Sequence, residues 1–169
     1  MVYDLLPIFN TSLPKPCIME NINENLTSHL NHLIMICNDG VYGYQNAAED
    51  ADSEALRSMF LDYSVERKSI TNQLKREIKI IGGNAEEGGG PLGAMHRTWM
   101  DLKAAMSKRD NKAILGVCVT GERVAINAYN EVLAVNYLPI HLRSILAEQR
   151  RDIQDALYQV ETLHQTIES

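Results

Sequence analysis

A chain of 169 residues with 45% hydrophobic content and a formal net charge of −6 is sized and composed for one domain with a substantial buried core. The acidic balance, with no cluster of cations beyond Gln149-Arg150-Arg151, excludes a broad nucleic-acid-binding face, because a phosphate backbone rewards grouped Lys and Arg. No apolar run approaches the roughly 20 residues that span a bilayer, and the N-terminus lacks the basic start and long apolar stretch of a secretory signal, so a cytoplasmic protein without membrane association is expected.

The first stretch, MVYDLLPIFNTSLPKPCI, holds Pro7, Pro14 and Pro16 and no sustained period. It reads as an irregular arm over residues 1–18, ahead of a single domain over 19–169, and Met19 offers an alternative start to Met1. From about Asn23 to Ala51, Leu26, Leu30, Leu33, Cys37, Val41, Tyr44 and Ala48 recur in steps of three and four, which is one face of a helix. Asp52 and Ser53 then cap a second helix with the face Leu56, Phe60, Tyr63, Ile70, Leu74, Ile78 and Ile81, and Gly82-Gly83-Asn84 ends it. A third helix is expected from near Asp110 to Ala134, and a fourth from Pro139 to about Ile167, with proline where a first helical turn accepts it. The cysteines, Cys17, Cys37 and Cys118, are odd in number and lack C-x-x-C spacing, so they read as reduced thiols rather than disulfides or metal ligands.

The chain repeats itself. Cys37, Gly40, Asn46 and Ala47 match Cys118, Gly121, Asn127 and Ala128 at a constant offset, and LRSMF at Leu56 matches LRSIL at Leu142. Two copies of one helical hairpin follow. The connection between the hairpins is far longer than a tight turn requires, and a helix of about 28 residues is about 42 Å long. EEGGGPLGAMHRTWMDLKAAMSKRD, with Pro91 opening a short helix packed through His96, Arg97 and Trp99, can run back along that length. The expected fold is all-α: a four-helix bundle of two antiparallel hairpins joined by one long crossover, the connection typical of ferritin-like folds.

The CxxG repeat, the GG turn after the second helix and LGAMHRTWMDLKAA at Leu92 together resemble a bacterial ferritin-like four-helix-bundle family of unknown function, over about residues 25–165. The resemblance implies the fold, a bacterial origin and an uncharacterised, sometimes stress-associated role. It implies no established activity.

Di-iron proteins of this architecture take a Glu from each of two helices and Glu-x-x-His from each of the others, because hard iron ions want carboxylate oxygens completed by imidazole. Glu122 lies on the core face of the third helix, whereas its counterpart in the first hairpin is Val41. Glu66 and Asp152 flank the apolar faces of the second and fourth helices, with Gln149 nearer the centre, but Ser69 and Asp155 stand where imidazoles are needed. Two readings stay open. In one, Glu122 pairs with Arg67 in a structural polar cluster extended by Gln149, Tyr44, Tyr63 and Tyr129; in the other, Glu66, Glu122, Gln149 and Asp152 hold a metal, iron or manganese, in an incomplete di-iron-type site. His29, His32, His96, His141 and His164 read as surface or helix-end residues.

The leading functional expectation is a noncatalytic, structural ferritin-like protein without a cofactor, able to form homo-oligomers, with its metal cavity filled by the polar cluster. The alternatives are an iron-handling or metal-binding oxidoreductase, resting on the acids, and a helical adaptor for a protein partner, resting on HRTWMDLK and the proline-rich arm. GNAEEGGGPLG lacks the Lys-Ser/Thr ending of a phosphate loop, and no nucleophile-base grouping emerges from the spacing.

Overall fold

The computed structural model describes residues 16–86 and 110–167. Every regular element among them is an α-helix: α1 (Pro16–Asp50), α2 (Glu54–Ile80), α3 (Asn111–Leu133) and α4 (Ile140–Thr166). The expected crossover helix with His96, Arg97 and Trp99 lies outside the described residues, as do residues 1–15. None of the described helices is long and apolar enough to cross a membrane.

The apolar steps read from the sequence are the packed faces. Leu26, Leu30, Leu33, Cys37, Val41, Tyr44 and Ala48 of α1 are all buried, as are Leu56, Phe60, Ile70, Leu74 and Ile78 of α2, and the facing residues of α3 and α4 include Ala125, Tyr129, Val132, Leu142, Leu146 and Ile153. One boundary differs from expectation. α1 opens at Pro16, inside the stretch assigned to the arm, because periodicity reports burial rather than helicity: proline suits a first helical turn, and Met19 just beyond it is 60% exposed.

The helix ends follow local chemistry. Ser53 Oγ accepts from Leu56 N (3.1 Å) to start α2, and Asp110 Oδ1 accepts from Ala113 N (3.2 Å) to start α3, each satisfying an amide that has no partner within its helix. The two glycines after α2 have different jobs. Gly82 adopts φ +78° and donates to Lys79 O (3.2 Å), while Gly83 donates to Ile78 O (2.9 Å), the paired bonds of a Schellman stop. Gly83 also lies so close to α1 that a Cβ would meet Thr27 Oγ1 at 2.2 Å.

Contacts at the two ends fix the topology. Asp52 N donates to Asn111 Oδ1 (3.3 Å), so α3 starts beside the α1–α2 turn. Asn23 Nδ2 donates to Ile81 O (3.2 Å), and His141 Nε2 lies 3.2 Å from Glu77 Oε2, so α2 ends where α1 and α4 begin. The chain therefore runs up, down, down and up, with α1 against α2 and α3, and α4 against α3 and α2. Since α2 ends at one end of the bundle and α3 begins at the other, the crossover must connect opposite ends.

The LRS repeat has a common function. Arg57 donates through Nε to Ala48 O (3.2 Å) and through Nη2 to Ala51 O (3.3 Å), while Arg143 bonds Leu133 O through Nη1 (2.5 Å) and Val135 O through Nη2 (3.0 Å). In both hairpins, then, an arginine in the first turn of the second helix caps the carbonyl end of the first. Replacing either by alanine should cost about 1 kcal/mol. The double variant should lose the sum, because the arginines stand at opposite ends of the bundle; chemical denaturation of the set tests both statements.

Candidate functional site

Halfway along the bundle the hydrocarbon core gives way to polar side chains. Arg67 is 2% exposed and Glu122 3%, and Arg67 Nη2 donates to Glu122 Oε2 at 2.7 Å. Isolated charges at this depth are costly, and pairing with full hydrogen bonding makes them tolerable. Glu122 Oε1 accepts from the Tyr44 hydroxyl on α1, so both of its oxygens are bonded. Arg67 Nη1 donates to Glu66 Oε1 at 2.9 Å, linking the buried pair to a half-buried carboxylate on its own helix. The Arg67 stem packs beside Gly40: a Cβ there would stand 3.4 Å from Arg67 Cγ and 3.5 Å from Cδ, ordinary contact distance.

A second polar chain lies beside the first. The Tyr129 hydroxyl donates to Gln149 Oε1 (2.9 Å), Gln149 Nε2 donates to Gln73 Oε1 (2.8 Å), and Cys37 Sγ stands 3.9 Å from the Tyr129 oxygen. Each of the four helices thus contributes to the polar layer. Arg67, Glu122 and Tyr44 are brought into one hydrogen-bonded group, and Tyr129 and Gln149 into another. Tyr63 joins through its ring, 5.3 Å from that of Tyr44, rather than through a hydrogen bond. Sequence reasoning does not find Gln73 or Cys37 as participants: Gln73 lies outside the apolar period, and Cys37 reads as a reduced thiol on the apolar face.

The acids considered as metal ligands separate by depth. Glu122 is buried, Glu66 half-buried and Asp152 exposed. Gln149 uses its amide on Tyr129 and Gln73. Among the described residues no three His, Cys, Asp or Glu side chains gather as an ion would require. His32 and His141 are exposed, and His29 and His164 are half-buried.

Electrostatics makes the interior poorly acidic. Burial, reinforced by the Glu122 charge, pushes the Tyr44 phenol well above its ordinary range, and burial does the same to Tyr129. Burial lifts the Cys37 thiol to about 11 and Tyr63 to about 12. Glu66 is raised by burial despite Arg67, with Asp152 and Glu122 adding to the rise. Cys37 is therefore a neutral thiol at neutral pH, without the thiolate that a nucleophile needs.

The model of a domain of unknown function, DUF2383, covers residues 25–135. The chain belongs to this family. No curated protein matches it. The DUF2383 match contains Tyr44, Glu66, Arg67, Glu122 and Tyr129 and stops in the turn after α3, so α4 with Gln149 and Asp152 lies beyond it.

Two expected outcomes follow for the DUF2383 chain. Arg67→Ala strands a buried carboxylate and should lower stability by about 3–5 kcal/mol, whereas Arg67→Met combined with Glu122→Leu should recover most of the loss; equilibrium unfolding of both variants checks this. The second outcome concerns Asp39, which is 3% exposed and whose Oδ2 finds no hydrogen-bond partner among the described residues. Burial holds this carboxyl above its ordinary range. A carboxyl raised in the folded state destabilises the fold progressively as pH climbs from the ordinary aspartate range through the raised value. Asp39→Asn should therefore stabilise the protein at neutral pH by about 1 kcal/mol. The gain should shrink as pH falls below the ordinary aspartate range, which melting curves across pH will show.

Proposed function

We propose that this protein is a noncatalytic member of the ferritin-like bundles, a structural scaffold in which an ion pair takes the interior position that a metal centre takes in di-iron relatives of the architecture. The observation that carries the reading is the Arg67–Glu122 pair, 2.7 Å long and buried, together with the up-down-down-up order whose long crossover joins opposite ends. A guanidinium supplies the positive charge that would otherwise come from a cation.

The donor set fits iron or manganese poorly. Both Glu122 oxygens are engaged by Tyr44 and Arg67, Val41 offers hydrocarbon where a second bridging acid is needed, and a fixed cation repels a divalent ion. The oxidoreductase reading draws its support from Glu66, which feels both Asp152 and Glu122. Those acids would need Arg67 to withdraw before they could share an ion.

Metal analysis of the purified protein separates the readings. The scaffold reading expects far less than one equivalent of iron, manganese or zinc and a melting temperature indifferent to added metal; a stoichiometric ion would overturn it. Val41→Glu should place a second carboxylate in the layer and destabilise the fold by a few kcal/mol, with divalent metal returning part of the loss through binding to the folded state.

A further inference from the structure

The outer face of the α1–α2 hairpin carries exposed apolar side chains. Tyr42 is 55% exposed, Leu61 46% and Val65 70%. Their adjacency follows from the register. Ser64 Oγ donates to Val41 O at 3.2 Å and Arg57 Nε to Ala48 O at 3.2 Å, so residue 41 stands level with 64, and 48 with 57. Tyr42 accordingly lies at a height between Leu61 and Val65. At about 100° per residue, Tyr42 projects outward from α1 on the side nearer α2, and Leu61 and Val65 project outward from α2 on the side nearer α1. The three make one patch. Single exposed apolar residues need no explanation, but a contiguous group with a tyrosine at its centre has the composition of an interface core.

Charge is distributed unevenly about that patch. Towards the α1–α2 turn the exposed charged residues are Glu49, Asp52, Glu54 and Arg57, the last donating to Glu54 at 3.3 Å, so that end keeps an excess of acids; on the other side α2 exposes Lys68, Arg76 and Lys79. Glu54 and Lys68 share the outward side of α2 with Leu61 and Val65, at spacings that repeat the helical turn. An isologous pair places the same patch of two copies face to face about a two-fold axis. With the axis through the patch, the acidic end of one hairpin lies over the basic stretch of the other, and the reverse holds symmetrically. A parallel arrangement would instead stack like charges.

We propose that this face binds a second copy of the same chain, forming an antiparallel two-fold dimer with Tyr42, Leu61 and Val65 at its centre and Glu49 and Glu54 opposite Lys68 and Arg76 of the second copy. The inference is independent of the interior reading, since none of these residues belongs to the polar layer.

Sedimentation equilibrium of the full chain tests it. The wild type should sediment as a dimer whose dissociation increases with salt. Val65→Glu should give monomers with unchanged helical circular dichroism, since the position is exposed. Glu54→Lys and Lys68→Glu should each weaken the dimer at least tenfold, and mixing the two variants should restore association through the complementary pairs. Val65→Cys, close to the axis, should form a disulfide-linked dimer on mild oxidation while Tyr158→Cys, on α4, does not. A wild type that stays monomeric up to its solubility limit would overturn the proposal. So would a dimer indifferent to Val65→Glu, or a cross-link at position 158 instead of 65, either of which would assign the contact to another face.

Discussion

The Arg67–Glu122 ion pair is the constraint around which the interior is arranged. α2 and α3 stand diagonally across the bundle, so a side chain joining them must pass through the core. Arginine has the reach, and its planar fork lets it serve Glu122 with one nitrogen and Glu66 with the other. The stem of Arg67 packs beside Gly40 of α1, close to where a Cβ would stand. Tyr44 presents a hydroxyl because Glu122 has a second oxygen to satisfy, and a half-paired carboxylate in this layer would cost more than an apolar side chain.

The pair also breaks the symmetry of the repeat at one level. With the hairpins superposed by their sequence match, Glu122 corresponds to Val41 and Arg67 to Ile153. Val41 and Ile153 are both buried hydrocarbon. One diagonal of the bundle thus carries an ion pair where the equivalent positions of the other carry apolar side chains, and Tyr44 similarly corresponds to Ala125. The charged substitutions are coupled: a carboxylate at position 122 calls for a cation at position 67. Away from this layer the halves stay alike, most clearly in the arginines at positions 57 and 143 that cap the two turns.

The sequence displayed whatever recurs at helical spacing or depends on near neighbours. The buried face of α1 from Leu26 to Ala48, the cap Ser53, the start of α3 near Asp110, the glycine stop and the need for a long crossover were all readable because burial, capping and turn geometry leave short-range signatures. The pairing of Arg67 with Glu122 could be anticipated because a charged residue on an apolar face demands compensation. Other features had no such signature. α1 is helical before its packed face begins, with residues 19–21 and 23–25 exposed, so no period marks its start. Arg57 and Arg143 look like ordinary surface cations until the turn brings carbonyls beneath them. Tyr63 and Tyr44 are equally plausible partners for Glu122 by helical phase, and the structure chooses Tyr44 because it descends from α1, the neighbour of α3, whereas Tyr63 sits towards α4.

A polar layer of this kind constrains alignment more than it adds stability. Apolar faces built on one repeated pattern can slide by a helical turn and still bury most of their surface, since leucine and isoleucine recur in equivalent places. A one-turn slip of α3 against α2 would move Glu122 roughly 5 Å along the axis, carrying it beyond the Arg67 fork and away from Tyr44, and would leave two charges in hydrocarbon. The same slip would part Tyr129 from Gln149 if α4 held its place. Polar groups contributed by all four helices, in two neighbouring hydrogen-bonded groups, therefore penalise alternative registers together, while an apolar layer would penalise none of them strongly. The charge that makes the core more costly to assemble is also what makes its assembly unambiguous.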